Sequence, residues 1–345
     1  MNIVICSSQV PFVRGGAEEL VEGLTRALLA QGHHVEQVSL PFKWYPRAQL
    51  EKTALAWRTL DLSSLGGRKV DLVICTKFPT WAVRHPNKVV WLIHQHRQAY
   101  DWYGTPLTDF GVSAADQATR HSIMETDRRG IGEAKQVFTI SQNVANRLLR
   151  YNGLQGTPLY PPLKHEAWHN AGYGDYVFSL SRLDSAKRID LLLKALAHTK
   201  TPVRALIGGS GPDLERLKTL ASSLHLEKRV EFLGRLSEEQ VTNLYAGALA
   251  VFYAPIDEDY GYATVEAMRS SKAVLTGPDS GGVLEFVRDG ANGFICASPQ
   301  NYALALDRLF LDRTLASNLG IQAYQTSQLV PSWELVAATL TAGLV

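Results

Sequence analysis

The stretch APIDEDYGYATVEAMRSSKAVLTGPDSGG, which ends at Gly282, places two carboxylates, Glu258 and Glu266, eight positions apart across a turn that contains Gly261. An ionised carboxylate only accepts hydrogen bonds, so a pair flanking a turn can hold the hydroxyls of sugar rings on either side of it. The apolar run ALAVFYAP before them reads as a buried strand and residues 263–268 as the first turns of a helix, so DEDYGY is the crossing from strand to helix. Backbone N–H groups at such a helix start, around Gly261, Tyr262, Ala263 and Thr264, can receive a diphosphate. Two cations, Arg182 and Lys187, stand five positions apart where the strand-like run 176–181 ends and a helix begins near Ile189. Placed there, they can neutralise a departing diphosphate.

Three further units belong to the elements that must position these groups. In VRALIGGSGPDLERLKTLA a short apolar run reaches Gly208, Gly209 and Gly211 before a helix that starts near Asp213. Glycine lets a backbone approach a ligand closely. The turn is not the dinucleotide fingerprint, because GGSGPD lacks the third glycine of G-x-G-x-x-G and no acidic residue follows at the usual distance. At the start of the chain the strand NIVICSS leads to Gly15 and Gly16, which stand at the N-terminus of a helix marked by Leu20, Leu24, Ala27 and Leu28 at helical spacing, with Arg14 beside them. In VVWLIHQHRQAYDWYG a strand over residues 89–93 delivers His94 and His96 at its carboxyl end, where open parallel sheets bind ligands.

Strand and helix patterns alternate throughout the 345 residues, a length beyond what one core usually supports, and 46% hydrophobic residues suffice for two. The expectation is an α/β protein with two doubly wound parallel-sheet domains. Prolines and glycines in GTPLYPPLKHEAWHNAGYGDY put the boundary near residue 165, giving domains 1–165 and 166–330. Residues 331–345, from PSWELV onward, form a last helix expected to return to the first domain.

In this order across residues 14–282, the features resemble those of the retaining glycosyltransferases of the GT-B fold, family 4, also called glycosyl transferases group 1, whose signature is Glu-x7-Glu followed by small residues such as Ser280-Gly281-Gly282. The resemblance implies two Rossmann-like domains facing a central cleft, the first for the acceptor and the second for a nucleotide-sugar donor. It implies that Glu258 holds the donor sugar and Glu266 the ribose, that Arg182 and Lys187 act on the phosphates, and that His94, ahead of His96, contacts the sugar. It places Gly15, Gly16, Gly209, Gly261, Tyr262, Ala263 and Thr264 around the donor. It implies retention of anomeric configuration without a cofactor or bound metal, with UDP or GDP ahead of ADP, and a glycan or lipid-linked glycan acceptor. The turn departs from the family in reading Asp259-Tyr260-Gly261-Tyr262, where many relatives have a glycine and a phenylalanine, so the donor cannot be copied from any relative. Asp257-Glu258-Asp259 imitates an Asp-x-Asp metal motif, but Glu258 belongs to the Glu-x7-Glu frame and fixed cations already supply what a metal would. The alternatives are an NAD(P)-dependent oxidoreductase, a nucleotide-sugar epimerase and a non-catalytic binding module.

The histidines are scattered, and Cys6, Cys75 and Cys296 form no zinc pattern and suit a reducing cytoplasm. No apolar run approaches the length that spans a bilayer, and the start lacks the marks of a signal peptide. Residues 1–165 hold 19 Lys and Arg against 13 Asp and Glu, whereas the remainder holds 16 against 20. The basic half also carries Phe42, Trp44, Tyr45, Trp57, Phe78 and Trp81, which suits an anionic membrane surface or stacking on an acceptor glycan, hence an expected site on the inner face of a membrane. Nucleic acid is not an expected partner, since the basic residues are dispersed and no reading motif is present.

Overall fold

The computed structural model describes residues 1–12 and 15–343. They divide into two compact units, one of residues 1–164 with 331–345 and one of residues 165–330.

In the first unit the chain runs β1 (Asn2–Gln9), α1 (Gly16–Ala30), β2 (His34–Pro41), α2 (Ala48–Thr59), a small hairpin of β3 (Ser64–Leu65) and β4 (Arg68–Lys69), β5 (Leu72–Cys75), β6 (Lys88–Leu92), α3 (Ala114–Gly132), β7 (Gln136–Thr139), α4 (Gln142–Asn152) and β8 (Thr157–Pro158). The six parallel strands lie in the order β2-β1-β5-β6-β7-β8. Every residue of β5 and β6 is buried, as the continuous apolar runs of a sheet covered on both faces require. The one cation in that run, Lys88, fits because its ammonium donates to the carbonyls of Trp81 at 2.9 Å and Val83 at 3.0 Å and reaches Glu133 at 3.3 Å.

The second unit repeats the plan with β9 (Tyr176–Leu180), α5 (Ile189–His198), β10 (Arg204–Gly208), α6 (Leu214–Ser223), β11 (Val230–Gly234), α7 (Glu238–Gly247), β12 (Ala250–Phe252), α8 (Tyr262–Arg269), β13 (Val274–Thr276), β14 (Gly293–Ile295), α9 (Pro299–Leu311) and α10 (Arg313–Ser327). Its strand order is β11-β10-β9-β12-β13-β14, all parallel. The order therefore reverses between β9 and β12, and the carboxyl ends of those two strands open a crevice.

The last helix, α11 (Trp333–Thr341), belongs to the first unit. Trp333 lies over Gly23 of α1, where a Cβ would come within 2.2 Å of the indole, and its Nε1–H donates to the Leu163 carbonyl at 2.9 Å.

Three of the aromatics read as a docking surface are core residues instead. Trp57 and Trp81 are fully buried and Phe78 nearly so, because α2 and the turn after β5 turn them inward. Tyr45 is 59% exposed, with Trp44 edge-on at 5.3 Å and the Lys43 ammonium 5.0 Å from its ring centre. Among the described residues no helix is long and apolar enough to cross a membrane.

Behind the end of β6 lies a buried polar chain. The Gln95 amide donates to Asn152, whose own amide donates to the Tyr100 hydroxyl at 3.3 Å. Asp127, fully buried, faces that hydroxyl at 2.6 Å and accepts from the Trp81 indole at 2.8 Å. Burial pushes the Asp127 carboxyl up from 3.8 to about 7. The fold thus holds a proton that the unfolded chain releases earlier, so this contribution to stability is full below about pH 4 and is lost as pH rises through about 7. Asp127→Asn, which mimics the protonated acid, is expected to fold and to flatten that slope; urea midpoints of both proteins at about pH 5 and about pH 8 measure it, and parallel slopes would refute it.

Candidate active site

Lys187 and Glu258 are 71 residues apart in the chain and in direct contact in the fold. Lys187 ends a 3₁₀ turn (Ser185–Lys187) after β9, and Glu258 follows β12, so each leaves one of the two strands that flank the order reversal. The Lys187 ammonium donates to Glu258 Oε2, and the Tyr253 hydroxyl donates to the same oxygen at 3.1 Å. Tyr253 also faces the ammonium, at 3.4 Å from its hydroxyl and 5.5 Å from its ring centre. Burial first, and the Glu258 charge second, push the Tyr253 hydroxyl well above its usual range, so it remains a neutral donor.

The backbone fixes Glu258 from the opposite side. Glu258 pairs with Gly281 as an isolated bridge, and the Gly282 N–H donates to the Glu258 carbonyl at 2.7 Å. A Cβ on Gly282 would meet the Asp259 carbonyl oxygen at 2.5 Å, so the small residue in GPDSGG is required by this approach of two backbones. Gly261 has φ +85 and caps α8, whose first turn holds Tyr262, Ala263 and Thr264. The Thr264 N–H bonds the Gly261 carbonyl at 2.9 Å, and the buried Thr264 hydroxyl has no hydrogen-bond partner among the described residues. One turn on, Glu266 accepts a hydrogen bond from Tyr245 at 3.2 Å, and burial followed by the Glu266 charge keeps that phenol protonated as well.

Arg182 does not join this cluster. Its guanidinium is 71% exposed and bonded to Asp184 at 2.6 and 2.7 Å. Gly209, with φ +114, donates its N–H to the Gly234 carbonyl at 2.7 Å, and a Cβ there would lie 1.9 Å from the Ser181 carbonyl oxygen. Close packing of the turn after β10 on the turn after β9 therefore accounts for this glycine without a ligand.

In the first unit, Gly15 precedes α1 in extended backbone and donates its N–H to Glu18 at 2.9 Å; Glu18 also pairs with Lys77 at 2.8 Å. Gly16 is the first residue of α1, and Arg14 lies outside the described residues. His94 directly follows β6 and contacts the Gln95 carbonyl through Nδ1 at 2.9 Å. His96 is caged by the rings of Phe42, Phe78 and Phe110 at 6.2, 5.7 and 6.0 Å, and burial, then His94, hold it down to about 4. It is a neutral packing residue. Among the described residues no three His, Cys, Asp or Glu side chains gather as a metal site would need.

Sequence reasoning missed Tyr253, Tyr245, Arg188 and Asp279. The tyrosines sit in apolar runs and read as core; only the bond each makes to a carboxylate reveals them.

Residues 164–326 match the family described as glycosyl transferases group 1. The second unit belongs to that family. An α-1,3/1,6-mannosyltransferase ALG2 from Dictyostelium discoideum is 33% identical over 113 residues, which cover 32% of this chain and 27% of that protein. The mouse protein of the same name is 26% identical over 363 aligned positions, covering 89% of this chain and 87% of its own. Anabaena Alr3699/HepE, solved in complex with UDP-glucose, superposes with a TM-score of 0.74 over 98% of both chains at 17% identity. That likeness gives the fold, GT-B, which is built on two Rossmann-like sheets such as the two described here.

Proposed function

We propose that the protein is a retaining, metal-independent glycosyltransferase that moves a sugar from a nucleoside-diphosphate sugar to a glycan or lipid-linked glycan. UDP and GDP are favoured over ADP as the donor base carrier; HepE was solved with UDP-glucose, and a Dictyostelium relative is named for GDP-Man. The observation that carries the reading is the Lys187–Glu258 pair at the order reversal of the second sheet, with Glu266 one helical turn beyond Gly261.

Breaking a sugar–phosphate bond builds charge on the diphosphate. Lys187 stabilises that charge as a fixed cation, and the N-terminal end of α8 adds its dipole. Arg182, exposed and paired with Asp184, is assigned a second cationic contact to the diphosphate at the rim. Glu258, steadied by Tyr253, accepts hydrogen bonds from the donor sugar, and Glu266, steadied by Tyr245, accepts them from the ribose. His94 is assigned the contact to the sugar that the family resemblance implies. The departing phosphate takes the acceptor's proton on the same face of the sugar, which retains the anomeric configuration. No cofactor or metal enters these steps.

Nucleoside diphosphate is expected to be released from one nucleotide sugar in the presence of acceptor, with the product anomer matching the donor and the rate unchanged by chelator. A rate abolished by chelator and restored by magnesium or manganese would contradict the metal-independent mechanism; release without any acceptor would point to hydrolysis or epimerisation. The basic first unit with Tyr45, Trp44 and Lys43 at its surface supports peripheral binding to an anionic inner leaflet. Absence of co-sedimentation with anionic liposomes at low salt would remove that part.

A further inference from the structure

We propose that Arg188 is a positioning residue that sets the relation between Lys187 and Glu258, an inference that rests on the transferase reading above. Arg188 follows Lys187 and caps α5 in the left-handed region, φ 51 and ψ 40, a conformation that glycine adopts freely and a side chain adopts under strain. Its guanidinium makes four hydrogen bonds: Nε to the Ala254 carbonyl at 2.7 Å, Nη2 to the Pro255 carbonyl at 3.0 Å, and a fork to Asp279 at 2.7 and 3.0 Å.

Each partner lies on backbone that either leads to Glu258 or is hydrogen-bonded to it. Ala254 and Pro255 are the backbone by which β12 reaches it. The Asp279 carbonyl accepts from the Asp257 N–H at 2.8 Å, and the Ser280 carbonyl next to it accepts from the Glu258 N–H at 3.3 Å. A third tie runs from the Ile256 N–H to the Ala186 carbonyl at 2.8 Å. One side chain therefore joins the Lys187 turn to both strands of backbone around Glu258. Asp257, at φ 43, is a second left-handed non-glycine residue on the other side of the pair, so strain brackets the site.

The bonds to the buried Ala254 and Pro255 carbonyls contribute to folding, but stability does not explain the fork to Asp279. Asp279 is 57% exposed, and ion pairs with an exposed partner contribute little to folding. Glycine at 188 would remove the strain. Arginine instead supplies a planar fork that fixes direction as well as distance, which a lysine cannot reproduce.

The test is a double-mutant cycle of Lys187→Ala and Glu258→Ala, measured as coupling in chemical unfolding, in the natural chain and again with Arg188→Gly. The expected result is a lowered unfolding midpoint for Arg188→Gly alone, since the buried Ala254 and Pro255 carbonyls lose their donor, and in addition loss of the Lys187–Glu258 coupling in that background. In the transfer assay, kcat is expected to fall about ten- to a hundredfold with a smaller change in donor KM, because displacement of a positioned group acts on the reacting geometry. Arg188→Lys is expected to restore neither. Undiminished coupling in the Arg188→Gly background would overturn the inference whatever the activity, whereas a natural chain that transfers no sugar would overturn the transferase reading and leave the coupling result standing.

Discussion

Lys187→Ala is expected to lower the turnover of sugar transfer about a hundred- to a thousandfold while the protein stays folded. The magnitude is that of one preorganised donor removed from a developing oxyanion. Lys187 is suited to the role because its ammonium is held, by Glu258 and against the Tyr253 ring, in the crevice where β9 and β12 diverge. The fold is expected to survive with a loss of about 1–3 kcal/mol, the range of a charged hydrogen bond, because both partners retain about a fifth of their side-chain exposure. Glu258 keeps the Tyr253 hydroxyl after the substitution, so no carboxylate is stranded. Steady-state kinetics beside a thermal midpoint check both halves. A variant with near-natural kcat would remove Lys187 from the phosphate role, and one that fails to fold would make the pair structural.

Gly209→Ala is expected to destabilise the second unit by about 3 kcal/mol or more, the range of a strained backbone compounded by a clash. The new methyl would lie 1.9 Å from the Ser181 carbonyl oxygen and 3.0 Å from its carbon, both backbone atoms that cannot swing aside, at φ +114. Gly66→Ala is the control. Its φ of +55 is also left-handed, but nothing lies within 4 Å of the added Cβ, so the expected loss is about 1 kcal/mol. Urea unfolding of the two variants separates strain from collision, and equal losses would refute the packing account. The result also bears on function, because an inactive Gly209→Ala would report disturbed packing of the turns after β9 and β10 rather than a lost nucleotide contact.

The sheets were legible in the sequence because their central strands are buried on both faces and read as unbroken apolar runs, and the helices because their buried positions recur at helical spacing. That Lys187 and Glu258 follow strand ends was legible for a simpler reason: strand ends can be found locally. The groups that hold them were not. Tyr253 looks like one more residue of a core strand until its hydroxyl is placed beside Glu258, and Arg188 meets Asp279 across 91 residues. Trp57 and Trp81 were misread because neighbouring lysines and arginines suggested a surface, whereas an aromatic on the inner side of a helix or turn packs inward whatever charges flank it. His94 and His96 are two positions apart, and the ring packing that cages His96 is not legible in that spacing.

Thermal stability of the purified protein in the presence of UDP-, GDP-, ADP- and dTDP-sugars, with NAD and NADP alongside, tests the central claim most directly, since a ligand bound only by the folded state raises the midpoint by mass action. The account predicts stabilisation by nucleotide sugars of one base, lost in Glu266→Ala; stabilisation by NAD or NADP alone, or an equal response from Glu266→Ala, would contradict it.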